Sequence, residues 1–411
     1  MIDIAIVGGG AAGFFAAINI KAKNPSLSVV IFEKSKTLLG KVKISGGGRC
    51  NVTHACFNPT ELVAYYPRGK KELLTVFQKF GPTETIEWFK QRRIELKKEA
   101  DGRMFPVSDD STTIVNCFLN ECDRLRIKVE VGASVQQIKQ TTNGFDLVLN
   151  NQNVKCRWLI IAGGSSDNLW QQMAELGHTI IPPVPSLFTF NIKHPLLHDL
   201  MGNSFSNSTV KLLIDKDLQK QFQLKKEDIQ QSGPMLITHW GLSGPAVLKL
   251  SSVAARLLHY LDYEFDIAIN FAGNYTTDQV LETLIKQKAE TPKKQIGNTA
   301  LFGLTNRFWI RLVEEFVDKE QIWIECNNKL LLKIAESITN SSMQVKGKST
   351  FKDEFVTAGG IDLKEVEFKT MESKLIPNLF FAGEVLNIDA LTGGFNFQAA
   401  WSEAWVMAEN I

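Results

Sequence analysis

Three glycines and one acid near the start of the chain have the types and spacing to hold a pyrophosphate. Gly8, Gly10 and Gly13 punctuate the run Gly8-Gly9-Gly10-Ala11-Ala12-Gly13, and Glu33 lies 20 residues past Gly13. Gly8 lets the chain turn tightly, Gly10 leaves room for a phosphate at the backbone, and Gly13 lets a helix pack close to the preceding strand. The N–H groups and positive dipole end of that helix then face the anion. A carboxylate at the distance of Glu33 accepts hydrogen bonds from ribose hydroxyls. A second group is Ser45-Gly46-Gly47-Gly48-Arg49-Cys50-Asn51. Three successive glycines cost backbone entropy and pack nothing. They make sense where backbone lies against a flat ligand, with Arg49 and Asn51 as the polar groups beside it. A third group lies near the end of the chain, where Gly383-Glu384 follows an apolar run and Thr392-Gly393-Gly394-Phe395-Asn396 opens a helix. A Gly-Gly turn at a helix N-terminus suits an anion or an electronegative oxygen. Flavin N1 and O2 are such groups.

Single residues are less decisive. His239 is the most eligible acid–base group by type and context; the competing expectation is a histidine hydrogen-bonded within its own turn. Cys50 would sit beside a flavin as a redox thiol, or serve as a small buried residue with no resolving partner. His54, His178, His194, His198 and His259 show no ligand spacing, so no metal is expected. The six cysteines contain no Cys-x-x-Cys pair, and neither a dithiol centre nor a zinc knuckle is signalled.

The elements that must position these groups are readable from hydrophobic pattern. Ile4–Val7 is a buried strand, Phe14–Lys23 a helix, and Leu27–Phe32 a second strand. Lys34–Lys43 reads as a polar connection. Gly69–Gln91 carries two amphipathic helices, the second opened by Pro82. Arg92–Val107 has hairpin character around Asp101-Gly102, and Asp110–Arg126 is a helix with capping residues at its start. Ser134–Gln140, Phe145–Asn150 and Val154–Ile161 form a three-stranded meander ending in Ala162-Gly163-Gly164. That ending lacks the third glycine and acid of a second dinucleotide site. Pro182, Pro183 and Pro185 mark a boundary.

Beyond them, Leu187–Ile192, Asn207–Ile214, Gln221–Leu224, Gly233–Thr238 and Glu264–Phe271 read as strands of a small barrel or sandwich, with Met343–Phe355 returning to it. Helices are expected over Ala246–Leu258, Thr276–Gln287, Thr299–Phe316 and Leu330–Ile338. The last strand, Leu379–Glu384, ends in Gly-Glu and precedes a final helix over Phe397–Glu409. Glycine features at both ends of the chain need one shared fold, so the middle region is an insertion.

The 411 residues suggest two or three domains. Apolar residues make up 44% and charged residues 22%, as in a soluble globular protein. Lys+Arg 46 against Asp+Glu 44 gives a formal charge of +2, so no nucleic-acid partner is expected on electrostatic grounds. No apolar run approaches the roughly 20 residues that span a bilayer. Ile4–Ile20 is apolar but lacks a basic leader and carries glycines, so it is not read as an export signal. With no cysteine framework either, a cytoplasmic location is expected. Oligomeric state is left open.

Several segments together resemble one family, the bacterial YhiN/BaiN-like flavoproteins, which include aminoacetone-oxidase-type FAD enzymes. They are IVGGGAAG, KVKISGGGRCNVT, MLITHWGLSGP, VTAGGI, TMESK and FFAGEVLNIDALTGGFN, and they span nearly the whole chain. The resemblance implies an α/β fold in which a glutathione-reductase-type, Rossmann-like FAD domain (1–185 and 356–411) is interrupted by a small β-barrel (186–275 and 340–355) carrying a helical insert (276–339). It implies non-covalent FAD, a small-molecule substrate, and hydride transfer to or from the flavin, with NAD(P)H as a transient electron donor. A bulky, steroid-like unsaturated substrate is the alternative, and a non-catalytic flavin-binding protein is a further one.

By the same resemblance Gly8, Gly10, Gly13 and Glu33 hold the ADP half, and Ala11, Ala12, Lys34 and Val135 are further cofactor-binding residues. Lys41, Ser45, Gly46, Gly47, Arg49, Cys50 and Asn51 lie towards the flavin, and Ala162 and Gly163 border it. Gly383, Glu384, Thr392, Gly393, Gly394, Phe395 and Asn396 close over the ribityl and pyrimidine side. Relatives of this type often run from the Gly-Gly after the meander into a longer glycine-rich segment. Here Gly163-Gly164-Ser165-Ser166 runs directly into the helix at Asp167, which implies a different cleft wall.

Overall fold

A computed structural model describes every residue except 151 and 349–355. Residues Met1–Pro183 and Thr357–Ile411 form one compact unit, and Val184–Val356 form another.

The first unit is built on a parallel sheet. Strand β1 (Ile2–Val7) leads into helix α1 (Ala11–Lys23) and strand β2 (Val29–Glu33). Strands β3 (Lys128–Val131), β4 (Asn153–Ile161) and β5 (Leu379–Phe381) complete the parallel order β5-β4-β1-β2-β3. Ile6 stands opposite Ile31 on one side and Ile160 on the other, and Phe380 stands opposite Ile160. Ile4, Ala5 and Ile6 are fully buried, as expected of a parallel strand covered on both faces.

Helix α1 is apolar all round and buried from Ala12 to Ile20, because the last helix, α2 (Phe395–Ala408), packs on it. Phe15 lies at the centre of that contact, with ring centroids 4.6 Å from Trp88 and 5.3 Å from Trp401. The meander runs Val135–Thr141, Gly144–Leu149 and into β4. The hairpin Leu96–Lys98 and Arg103–Pro106 takes a third strand, Thr53–His54, that follows the glycine-rich segment.

The second unit is a six-stranded antiparallel sheet in the order Phe190–Asn191, Gly241–Ser243, Gln230–Ile237, Ser204–Leu213, Glu264–Asn270 and Ser341–Lys346. Its edges meet, since Phe190 pairs with Lys348 and Asn191 N–H donates to Gly347 O (3.1 Å), which nearly closes a barrel. Helices Thr277–Glu290, Asn306–Glu314 and Asn328–Thr339 belong to the same unit, and Phe308 packs against Phe205 and Phe271 of the barrel core.

Several expected elements differ. Gln221–Leu224 is not a strand, because Asp215 caps a short helix over Lys216–Gln221 by accepting from Leu218 N–H (2.8 Å) and the chain turns after it. The helix expected from Thr299 begins only at Asn306, where Thr305 provides the cap, since Gly303 adopts φ +70 just before it. Ala254 divides the helix over Ala246–Leu258 into Pro245–Val253 and Ala255–Tyr260. The polar connection Lys34–Lys43 turns helical at Gly40, and that short helix breaks at Ser45-Gly46-Gly47. Only Phe190–Asn191 of the first barrel segment is paired as a strand. The strand expected over Met343–Phe355 is seen as Ser341–Lys346, and 349–355 lies outside the described residues.

Candidate functional site: the carboxyl edge of the parallel sheet

Three glycine turns of the first unit leave the sheet at the carboxyl ends of its strands, where open α/β sheets bind ligands. Gly8 follows β1, Ala162-Gly163 follows β4, Gly383 follows β5, and Glu33 ends β2.

The three glycines of the first turn are required for three different reasons. Gly8 has φ +120, and a Cβ there would lie 2.4 Å from Ala162 O, so β1 and β4 leave no room for a side chain. A Cβ on Gly13 would lie 2.0 Å from Gly8 O, which is the close approach of helix to strand. At Gly10 a Cβ would meet nothing within 4 Å. Gly10 caps α1 without any side-chain hydrogen bond, so the first N–H groups of the helix have no intrahelical partner. Open space in front of an uncapped helix N-terminus is the space a pyrophosphate needs, and the residues fit a dinucleotide.

Glu33 braces this turn. Its Oε2 accepts from Gly9 N–H and its Oε1 from Ser35 N–H, both at 2.7 Å. Each oxygen keeps a second lone pair for a ribose hydroxyl. Glu33→Ala should therefore weaken FAD binding by about 1–3 kcal/mol, the range for a lost charge-assisted hydrogen bond, and should loosen the Gly9 turn as well. Equilibrium FAD titration of the variant checks this, and unchanged affinity would remove Glu33 from the site. Lys34 is exposed, and Val135 is buried at the start of its strand, its carbonyl accepting from Gln172 (3.3 Å). Ala12 is buried and packs close to Gly383.

The second glycine group is held from behind. Cys50 N–H donates to Ser45 O (3.0 Å), and a Cβ on Gly46 would lie 2.7 Å from the Phe105 ring, while Gly47 and Gly48 face open space. Cys50 is fully buried with φ +63, and burial pushes its thiol up to about 12. That favours the packing role over a reactive thiolate. Arg49 turns away to Glu99 (2.6 Å) and stacks its guanidinium 4.0 Å from the Phe105 ring centre.

Lys41 pairs with Glu384, whose carboxylate lies over Gly164. Ala162 N–H donates to Val7 O (2.8 Å), and a Cβ on Gly163 would meet Leu169 at 2.2 Å. Gly383 has φ +81, and its N–H donates to Glu403 Oε2 (2.6 Å).

The Thr392-Gly393-Gly394 turn has a reason that its sequence does not show. A Cβ on Gly394 would lie 2.7 Å from both Asn51 Oδ1 and Thr53 O, and one on Gly393 would lie 2.6 Å from the Phe395 ring. With its amide turned to satisfy both ends, Asn51 accepts from Gly394 N–H (2.9 Å) and donates to Thr53 O (3.1 Å). These glycines make room for the Asn51–Thr53 segment and a neighbouring aromatic. The structure thereby joins the second and third glycine groups directly. Asn396 ties the preceding loop by accepting from Ala390 N–H (3.0 Å), and Thr392 is exposed.

His239 lies in the second unit, exposed in the turn between Gln230–Ile237 and Gly241–Ser243. Sequence reasoning passed over three features of the first unit. Glu403 is fully buried within α2, and Asp389 is fully buried and paired with Arg68. Gln398 Oε1 accepts from both Thr53 and Thr85, which locks the Asn51–Thr53 segment to α2. A charge inside an otherwise apolar run was the available signal for Glu403 and Asp389.

The family model described as the HI0933-like protein Rossmann domain matches residues 2–410. The chain is 28% identical to a ribosomal RNA dihydrouridine synthase of Escherichia coli (strain K12), over 100% of this chain and 98% of that protein. It is 26% identical to a 3-dehydro-bile acid delta(4,6)-reductase of Clostridium scindens, over 99% and 98%. Among solved structures, 3-ketosteroid-delta4-(5alpha)-dehydrogenase from Rhodococcus jostii RHA1 aligns with a TM-score of 0.50 at 12% identity, covering 99% of this chain and 96% of that one. That likeness speaks to the fold.

Proposed function

Since this chain belongs to the HI0933-like family of Rossmann-fold FAD oxidoreductases, we propose that it reduces a carbon–carbon double bond conjugated to a carbonyl in a cyclic substrate. The observation that carries the cofactor half is the open space at Gly10 before the uncapped start of α1. The substrate half is supported by two similar proteins whose named activities, dihydrouridine synthesis and delta(4,6) reduction, both saturate a ring double bond. These names favour reduction over oxidation of a small amine or alcohol. The near-neutral charge balance argued against a nucleic-acid partner, but an RNA-directed relative at full coverage means that net charge does not decide the substrate.

Bound FAD supplies the hydride chemistry. This chain's residues bind and orient it: the N-terminus of α1 receives the pyrophosphate, Glu33 the ribose, and the Asn51–Gly394 junction borders the flavin. His239, exposed on its turn in the second unit, is kept as a proposed acid–base residue. NAD(P)H is the proposed electron source.

Acid or heat should release the chromophore as intact FAD, since no residue offers a recognisable flavinylation context. Anaerobic NADH or NADPH should bleach the holoprotein. Release of FMN, or bleaching by amines with none by either nicotinamide, would overturn the reading.

A further inference from the structure

A cavity of about 280 Å³ opens on the first unit between the helix Lys70–Lys79 and the hairpin of Val366–Glu367 with Glu372–Ser373. Four lysines line it. Lys71 comes from the helix, Lys364 and Lys374 from the open end of the hairpin, and Lys369 from its tip. The whole chain carries 46 Lys+Arg against 44 Asp+Glu, so a general excess of cations does not account for the group. None of the four forms an ion pair among the described residues. Lys374 Nζ donates only to Lys364 O (3.1 Å). Glu72 and Glu367 also line the cavity, and Glu367 is engaged by Lys369 N–H (3.1 Å). Four lysines against two carboxylates leave a surplus of two positive charges.

Like charges around one space repel unless an anion joins them. Flexible lysine heads can swing apart, but the backbone that carries these is fixed from behind. The fully buried His178 side chain lies between Glu365 and Ser373, 3.0 Å from each. Glu365 also accepts from Thr179 N–H (2.9 Å), and Ser373 Oγ from Ile376 N–H (3.0 Å). Lys79 Nζ donates to Lys369 O (2.9 Å), which ties the helix to the hairpin tip. The apolar part of the lining is Leu363, Val366 and Phe368, all buried.

We propose that this cavity binds a phosphate monoester, with the phosphate among the four lysines and its organic group on Leu363, Val366 and Phe368. A monoester carries about 1.5–2 negative charges near pH 7, which matches the surplus, and lysine binds phosphate as a point charge. Water takes up about 30 Å³ per molecule in the liquid, so the space exceeds a lone inorganic anion and admits an organic group beside it. The lining shares no residue with the glycine turns or Glu33, so the site stands independently of the FAD reading.

The test is calorimetric titration of the full chain, in excess FAD, with ribose 5-phosphate and with ribose as the uncharged control. Ribose 5-phosphate should bind at low salt with a Kd below about 1 mM, and at least tenfold more weakly at about 0.5 M salt, where charges are screened. Ribose should not bind. Lys364→Gln with Lys374→Gln should weaken binding at least tenfold, and Lys71→Gln on the facing wall severalfold. Glu72→Gln should tighten binding, because it removes a negative charge from the lining. These side chains are exposed or half-buried, so the variants should keep the wild-type unfolding midpoint. No binding of ribose 5-phosphate, equal binding of ribose, or binding unchanged in Lys364→Gln with Lys374→Gln would overturn the proposal. So would an RNA oligonucleotide without terminal phosphates that binds through the same lysines more tightly than ribose 5-phosphate, since the ligand would then be a diester backbone.

Discussion

Gly10→Glu should strip the protein of FAD while leaving it folded, and Gly13→Ala should do the reverse. At Gly10 the backbone has φ −97 and ψ −166, which any residue adopts, and an added Cβ meets nothing within 4 Å. The apoprotein therefore accommodates the side chain. The cofactor does not, because a carboxylate then occupies the phosphate position at the helix N-terminus. Affinity should drop at least about 100-fold, or about 2.8 kcal/mol. At Gly13 the added methyl would sit 2.0 Å from Gly8 O, a backbone atom that moves only if α1 lifts from β1. Overpacking of this kind costs about 1–3 kcal/mol, and urea unfolding of the apoprotein should show it. Equal FAD loss with equal destabilisation in both variants would mean that the Gly10 opening is not a binding feature.

Arg68→Ala should be the most destabilising change among the charged residues of the first unit. Asp389 is fully buried, and Arg68 holds it with two guanidinium nitrogens. Removing one member of a buried pair strands the other charge, at about 3–5 kcal/mol. The damage should reach the cofactor site. Segment 65–69 anchors the loop before Thr392: Leu391 N–H donates to Tyr65 O (2.8 Å), and a Cβ on Gly69 would strike Ile388 at 2.6 Å. Replacing both partners, as Arg68→Met with Asp389→Leu, should recover most of the loss, since an apolar pair leaves no charge unpaired. Unfolding midpoints of the wild type and the two variants decide it; wild-type stability in Arg68→Ala would show that the pair contributes nothing.

What could be read ahead of the structure was whatever local chemistry dictates. The continuous apolar run Ile4–Val7 before Gly8-Gly9-Gly10 announces a buried parallel strand and its turn, and β1, α1 and β2 stand where that pattern puts them. The meander is equally local, with Asn143-Gly144 joining two alternating strands. What could not be read is set by contacts distant in sequence. Gly394 is explained by Asn51 and Thr53, more than 340 residues earlier, and no periodicity carries that information. Glu403 is marked in the sequence only as a charge inside an apolar run; that its partner is the Gly383 N–H is not written there. Gln221–Leu224 resembled a strand because its alternation outweighed the Asp215 cap six residues earlier.

The most direct test of the account is a single turnover under anaerobic conditions. The purified holoprotein is reduced with one equivalent of dithionite and mixed with a steroid 3-keto-4,6-diene or, separately, with a uridine-containing RNA oligonucleotide. The account predicts that at least one of these restores the oxidised flavin spectrum, with a product heavier by two hydrogens at the ring double bond in matching amount. A flavin that stays reduced with both, yet is reoxidised by O2 and re-reduced by an amine or alcohol, would contradict double-bond reduction as its function.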